Sequence, residues 1–217
     1  MKKLLLLLPL VATTVSGAVI VPVTANASSE KSDSLATFLI DGSGLFTSTT
    51  ELTPDNSLTG IHYDNSNATS STADRSWVWS GIISEEWVEF DLGGSFNVTD
   101  AYIWQTTFST TTRQTRTFDI EYSTDGTNYF VASADQQLGQ VTPTLTVGST
   151  AETFNFSSVT ASWMRIGIDG TYENPGGGRN WLGGLGEVRF EGTAVPEPST
   201  TALLGLGGLA LILRRRK

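Results

Sequence analysis

The sequence predicts an all-β protein, an antiparallel β-sandwich, on three observations. Hydrophobic residues recur with a period of two. Gly, Asn and Asp mark turns between the short alternating runs. No helical period appears between the two ends of the chain. Phe118, Ile120 and Tyr122 share one face of a strand that Asp125-Gly126 ends, and Tyr129 to Ala132 begins the next. Trp87 to Leu92 alternates apolar with acidic residues and stops at Gly93-Gly94. Met164 to Ile168 and Val188 to Glu191 alternate likewise, and Val98–Thr107 and Val141–Val147 read as two further strands. Alternation of this kind belongs to half-buried strands, with the acids on the wet face. Residues 43–76, rich in Ser, Thr, Asn, Asp and Gly, read as long loops with room for one short strand.

The ends are of a different nature. Lys2-Lys3, an apolar run from Leu4 to Ala12, a second from Ala18 to Val23, and Ala25-Asn26-Ala27 together form a secretory signal peptide, with the cut placed after Ala27. At the other end, Ala202 to Leu213 is apolar and Arg214 to Lys217 is basic. As a helix, those twelve apolar residues span about 18 Å, short of a hydrocarbon core of roughly 30 Å. The terminal cations stay on the cytoplasmic side and the body between the two ends faces outward. The expected layout is therefore a signal peptide over 1–27, a flexible lead-in over 28–37, the sandwich over 38–192, a linker over 193–200, and a hydrophobic helix with a basic tail over 201–217.

Cysteine is absent, which excludes disulfides and thiolate metal sites. Six of the 13 Lys and Arg sit at the two ends, against one of the 22 Asp and Glu, Glu197; the body carries 21 acids and seven bases, a net charge of −14. Such a body repels nucleic acid and anionic lipid. Catalysis is not expected. His62 is the single histidine, and no nucleophile-elbow motif accompanies any serine. Glu85 and Glu86 are neighbours and point to opposite faces of an extended chain, unlike the carboxylate pair of a glycosidase.

Two loops carry the mixture that reads sugar hydroxyls, aromatic faces beside Arg, Asn and acids. One runs from Trp104 to Arg116 and holds Phe108 and Arg113; the other runs from Asp169 to Trp181 and holds Tyr172, Asn174, Arg179 and Trp181. In an antiparallel sandwich the loop before Trp87 and the loop after Trp104 share an end, because two antiparallel strands separate them, and His62, Tyr63, Trp77 and Trp79 are able to join that rim. The other reading of the tryptophans is packing in the core.

Two resemblances extend this reading. Val195-Pro196-Glu197-Pro198-Ser199-Thr200, the apolar run and the basic end resemble the PEP-CTERM sorting signal. That resemblance implies recognition of Pro196, Glu197 and Pro198 by an exosortase-type membrane protease, transient membrane insertion of the C-terminal helix, and display or release at the surface of an exopolysaccharide-making Gram-negative bacterium. Residues 38–192 resemble the discoidin or coagulation-factor C-domain group, a galactose-binding-like jelly roll. The pieces that carry the likeness are Trp87 to Gly93, Phe118 to Gly126, Trp163 to Ile166 and Gly184 to Phe190. The cysteine pair of many animal members is absent, and the stretch before Trp77 matches poorly. The resemblance implies a structural calcium held by Asp64, Ser66 and Thr69 with Glu187 on the last strand. It also implies a polysaccharide ligand and, with the termini meeting at the opposite end, a common rim for the Trp104–Arg116 and Asp169–Trp181 loops. The expected function is an exported, non-catalytic carbohydrate-binding module; the alternative is a structural matrix or adhesion protein without specific sugar binding.

Overall fold

A computed structural model describes residues 17–42, 44–47, 50–51, 58–62, 76–79, 86–106, 114–142, 148–173 and 183–196. These form eleven strands: β1 (Ala18–Ile20), β2 (Thr24–Ala27), β3 (Leu45–Thr47), β4 (Thr50–Glu51), β5 (Ile61–His62), β6 (Trp77–Trp79), β7 (Trp87–Gln105), β8 (Thr115–Ser123), β9 (Phe130–Gln137), β10 (Ser149–Thr171) and β11 (Gly183–Ala194). All strand pairs are antiparallel. One 3-10 turn, Ala36–Leu39, is the only helical element among the described residues.

The long strands β7 and β10 run through both halves of the fold. The first half of β7 pairs with β2 and with the end of β10; its second half pairs with β11 and with the start of β10. Register shifts in β10 between Asn155 and Val159 and between Ala161 and Trp163 let the pair bend. Gly93 bends β7 at φ 73°, and a Cβ there would lie 2.7 Å from the Val23 side chain. Gly93-Gly94 thus does not end a strand, as the alternation alone implied; it turns one strand between layers.

The curl brings distant strands face to face. Phe90 of β7 meets Phe190 of β11 edge-on at 5.5 Å, and Phe118 of β8 meets Phe154 of β10 at 5.0 Å. Around them Val88, Ile103, Ile120, Met164, Ile166 and Val188 are fully buried. The alternation read for Phe118 to Tyr122 and for Trp87 to Leu92 puts Phe118, Ile120, Val88, Phe90 and Leu92 in this core. Burying each such side chain contributes about 1.5–3 kcal/mol.

The structure gives three segments of the expected layout a different local structure. Residues 18–27, assigned to the signal peptide, form β1 and β2, and Ile20 and Ala25 belong to the core. Residues 28–37, expected as a flexible lead-in, are tied down: Lys31 N–H donates to Val78 O at 2.9 Å, Val78 N–H donates to Ser34 O, and Trp77 Nε1–H donates to Ser29 O. β11 runs on to Ala194, inside the expected linker. The expected helix over 201–217 and most of the strand over Val141–Val147 lie outside the described residues. No helix among the described residues is long and apolar enough to cross a membrane.

Candidate functional site

The chain leaves the described body at His62, Thr106 and Glu173 and re-enters it at Ser76, Gln114 and Gly183. These six positions belong to one end of the sandwich, and hydrogen bonds join them. Thr106 Oγ1 donates to Ser76 Oγ at 3.2 Å. Tyr172 N–H donates to Gln114 O at 3.1 Å, and Thr115 Oγ1 donates to Gly184 O at 2.8 Å. His62 pairs with Ser149, whose Oγ accepts the Gln105 N–H at 2.8 Å.

Two glutamines organise this floor. Gln105 Nε2 donates to Thr115 O at 2.6 Å and to Gly139 O at 3.2 Å, while its Oε1 accepts the Thr115 N–H. Gln114 Nε2 donates to Val141 O and its Oε1 accepts the Val141 N–H. Both side chains are fully buried. An amide carries donors and an acceptor, so one side chain replaces a rung of ladder where strands diverge. The segments 63–75, 107–113 and 174–182 all spring from this floor.

Of the expected ligand-contacting residues, Tyr172 is described. Its hydroxyl donates to Leu138 O at 2.8 Å, and Arg116 stands over its ring at 5.9 Å. Phe108, Arg113, Asn174, Arg179 and Trp181 lie outside the described residues. The tryptophans divide as packing requires. Trp77, Trp79 and Trp104 are fully buried, and Trp104 Nε1–H donates to Gly60 O. Gly183 and Gly184 admit Trp77 and Trp79: a Cβ at Gly184 would lie 2.2 Å from Trp77 O. These three tryptophans are therefore core residues and do not join a rim, and His62 is likewise buried.

Glu187, the expected last-strand calcium ligand, is fully buried. Its Oε1 accepts a hydrogen bond from Arg189 Nη1, which also donates to Leu39 O and Val188 O. Burial pushes the Glu187 carboxyl up to about 8 against the pull of Arg189, and the Asp41 carboxylate adds to the rise. Gly42 N–H lies close enough to stabilise the anion, yet Oε2 makes no hydrogen bond of normal geometry. A hard cation relieves a buried carboxylate oxygen in this state, so Glu187 fits a calcium role. Asp64, Ser66 and Thr69 lie outside the described residues, and among the described residues no three acids or histidines are grouped to hold a metal.

A feature that alternation concealed lies on the outer face of β7, β10 and β8. Arg165 Cζ sits 3.5 Å from the Tyr129 ring centre and 4.8 Å from that of Trp87, and it pairs with Glu89 and Glu121 at 3.5 and 3.6 Å. A groove of about 170 Å³ beside it is lined by Glu86, Asp119 and Asp169 among others. Burial raises the pKa of Asp169, and Asp119 and Asp135 add to the rise. The aromatic faces here are covered by Arg165, so they are not free to stack on a ligand.

Comparison with known proteins bears on both parts of the chain. Residues 194–217 match the PEP-CTERM protein-sorting motif, so the chain ends in a sorting signal for export to the cell surface. No curated protein sequence matches the chain. Among solved structures, the family 32 CBM from C. perfringens NanJ, in complex with galactose, superposes with a TM-score of 0.50 at 16% identity, over 81% of this chain and 99% of that one. A truncated AlyQ with CBM32 and alginate lyase domains also reaches 0.50 at 15% identity, over 85% of this chain and 35% of that one. At such identities the likeness is one of fold alone, an antiparallel β-sandwich like that of those modules.

Proposed function

We propose that the protein is an exported, non-catalytic carbohydrate-binding module, displayed at the cell surface after recognition of Pro196, Glu197 and Pro198 by an exosortase-type membrane protease. The observation that carries the binding half is the floor of Gln105 and Gln114. It ties Gln105 and Gln114, on either side of the 107–113 segment, into the end of the sandwich from which Tyr172 leads on to 174–182, and the sequence of those two segments contains Phe108, Arg113, Asn174, Arg179 and Trp181. Aromatic faces with Arg and Asn suit neutral or acidic polysaccharide, and the cell's own exopolysaccharide is the ligand class most in keeping with the sorting signal. The galactose bound by the NanJ module supports a sugar at this fold without naming the sugar here.

A structural calcium is part of the reading, with Glu187 joined by Asp64, Ser66 and Thr69. Its role is to pin the Asp41–Gly42 segment and the 63–75 segment onto β11. The second reading, a matrix or adhesion protein without specific sugar binding, draws on the exposed Phe130 and Val131 of β9.

The test is a glycan array, including native exopolysaccharide, probed with the exported protein in calcium and in chelator. Saturable binding to a defined glycan class is expected; silence on every glycan favours the matrix reading. In the same samples, calcium at a hundredfold excess over its Kd adds about 2.7 kcal/mol of stability. A melting temperature that chelator and calcium leave unmoved removes the metal from the account.

A further inference from the structure

We infer that the signal peptide is cut at Ser16-Gly17-Ala18, after Ala18, and that Val19 to Ala27 remain as working strands of the mature protein. The Ala25-Asn26-Ala27 triplet has the small-x-small spacing that signal peptidase reads. It also has the period of a strand, and the structure uses it as one. In β2, Ala25 pairs with Phe90 and Ala27 with Val88, while Asn26 faces solvent. The alanines are small because they lie against core positions of β7; Ala25 is 5% exposed.

The segment before it is equally built in. β1 pairs Val19 with Glu191 and Ile20 with Phe190, and Ile20 is 5% exposed within the core. Between the strands, Val23 N–H donates to Asp91 O at 2.8 Å, and Gly93 lacks a side chain where Val23 stands. A cut after Ala27 removes both strands. It bares the edge of β7 from Val88 to Asp91 and the edge of β11 from Phe190 to Gly192, and open sheet edges invite aggregation. The polar anchors downstream do not replace them: Ser28 and Ser29 bond Glu86 Oε2 at 2.6 and 2.7 Å, but they carry no apolar surface into the core.

Ser16-Gly17-Ala18 is the small-x-small triplet that ends on the first residue of β1, and it follows the apolar run that opens at Leu4. A cut there keeps Ile20 and all of β2. It also places the new α-ammonium next to Glu191, whose carboxylate lies against Gly17 and already accepts the Tyr102 hydroxyl at 2.6 Å.

The N-terminal sequence of the exported protein decides the matter directly. Val19 is the expected first residue; Ser28 overturns the inference. Ala18→Arg should leave precursor uncut, whereas Ala27→Arg should leave the N-terminus unchanged; precursor accumulating with Ala27→Arg contradicts it. A third readout does not depend on processing efficiency. Ile20→Ala should lower the melting temperature of the exported protein by roughly 5–15 °C. A mature chain that starts at Ser28 lacks residue 20, and its melting temperature will not move.

Discussion

The two ends of β8 are built on different plans. At Ser123 the chain closes a short turn on itself: Asp125 Oδ1 accepts the N–H groups of Thr127 and Asn128, and Ser123 Oγ accepts those of Asp125 and Gly126. At Thr115 almost nothing is local. Gln105 reaches Thr115 and Gly139, and Gln114 reaches Val141, across 10 to 34 residues of sequence. The turn end spends its polar side chains on its own backbone, which keeps it short. The other end uses buried amides to hold diverging strands, and so it can carry long connecting segments. One sandwich thus has a closed end and an open end, and the proposed sugar binding is assigned to the open end.

The largest test of that contrast is Gln105→Leu. It strands the Thr115 N–H and carbonyl in a buried setting, at about 1–3 kcal/mol for each unpaired group, and also removes the part-buried bond to the Gly139 carbonyl. A fall in melting temperature of roughly 6–12 °C is expected, with loss of any glycan binding; a change below about 2 °C would mean the floor is not what holds the open end.

The smallest test sets two aspartates of opposite electrostatic character against each other. Hydrogen bonds from Asn128 and Thr127 hold the Asp125 pKa far below its ordinary value, so its stabilising contribution is present above about pH 3.8 and is lost as pH falls through the folded value. Burial raises Asp169, so the stability it permits is fully present below about pH 3.8 and is lost as pH rises through the folded value. Asp125→Ala should therefore lower the melting temperature at pH 7, and Asp169→Asn should raise it slightly. Both differences should shrink when melting is repeated near pH 3. Shifts of the same sign at pH 7 would break the contrast.

How much of this was legible in the sequence depends on the range of the contacts. Phe118 and Ile120 were readable because a strand with one wet face writes its burial into alternate residues. Arg189 was not. It sits in an alternating run that implies a solvated face, yet it is fully buried, because the 36–42 segment, 150 residues away from it at Leu39, covers that face of β11. The same cover buries Glu187, which the family resemblance singled out and alternation did not. β1 and β2 were hidden for a different reason: short runs of small apolar residues serve both a leader and an edge strand. Gln105 and Gln114 left no pattern at all, since an isolated glutamine beside a loop gives no sign that it replaces ladder bonds. The candidate contacts Arg113, Arg179 and Trp181 rest on composition and on the roots of their segments.

The central claim, a sugar-binding open end, is most directly tested by titrating native exopolysaccharide into the exported protein and into its Trp181→Ala and Arg179→Ala variants, with a melting curve for each. The account expects saturable binding by the unaltered protein and at least about a tenfold loss in both variants, at an unchanged melting temperature. Undiminished binding by variants that melt normally would contradict it.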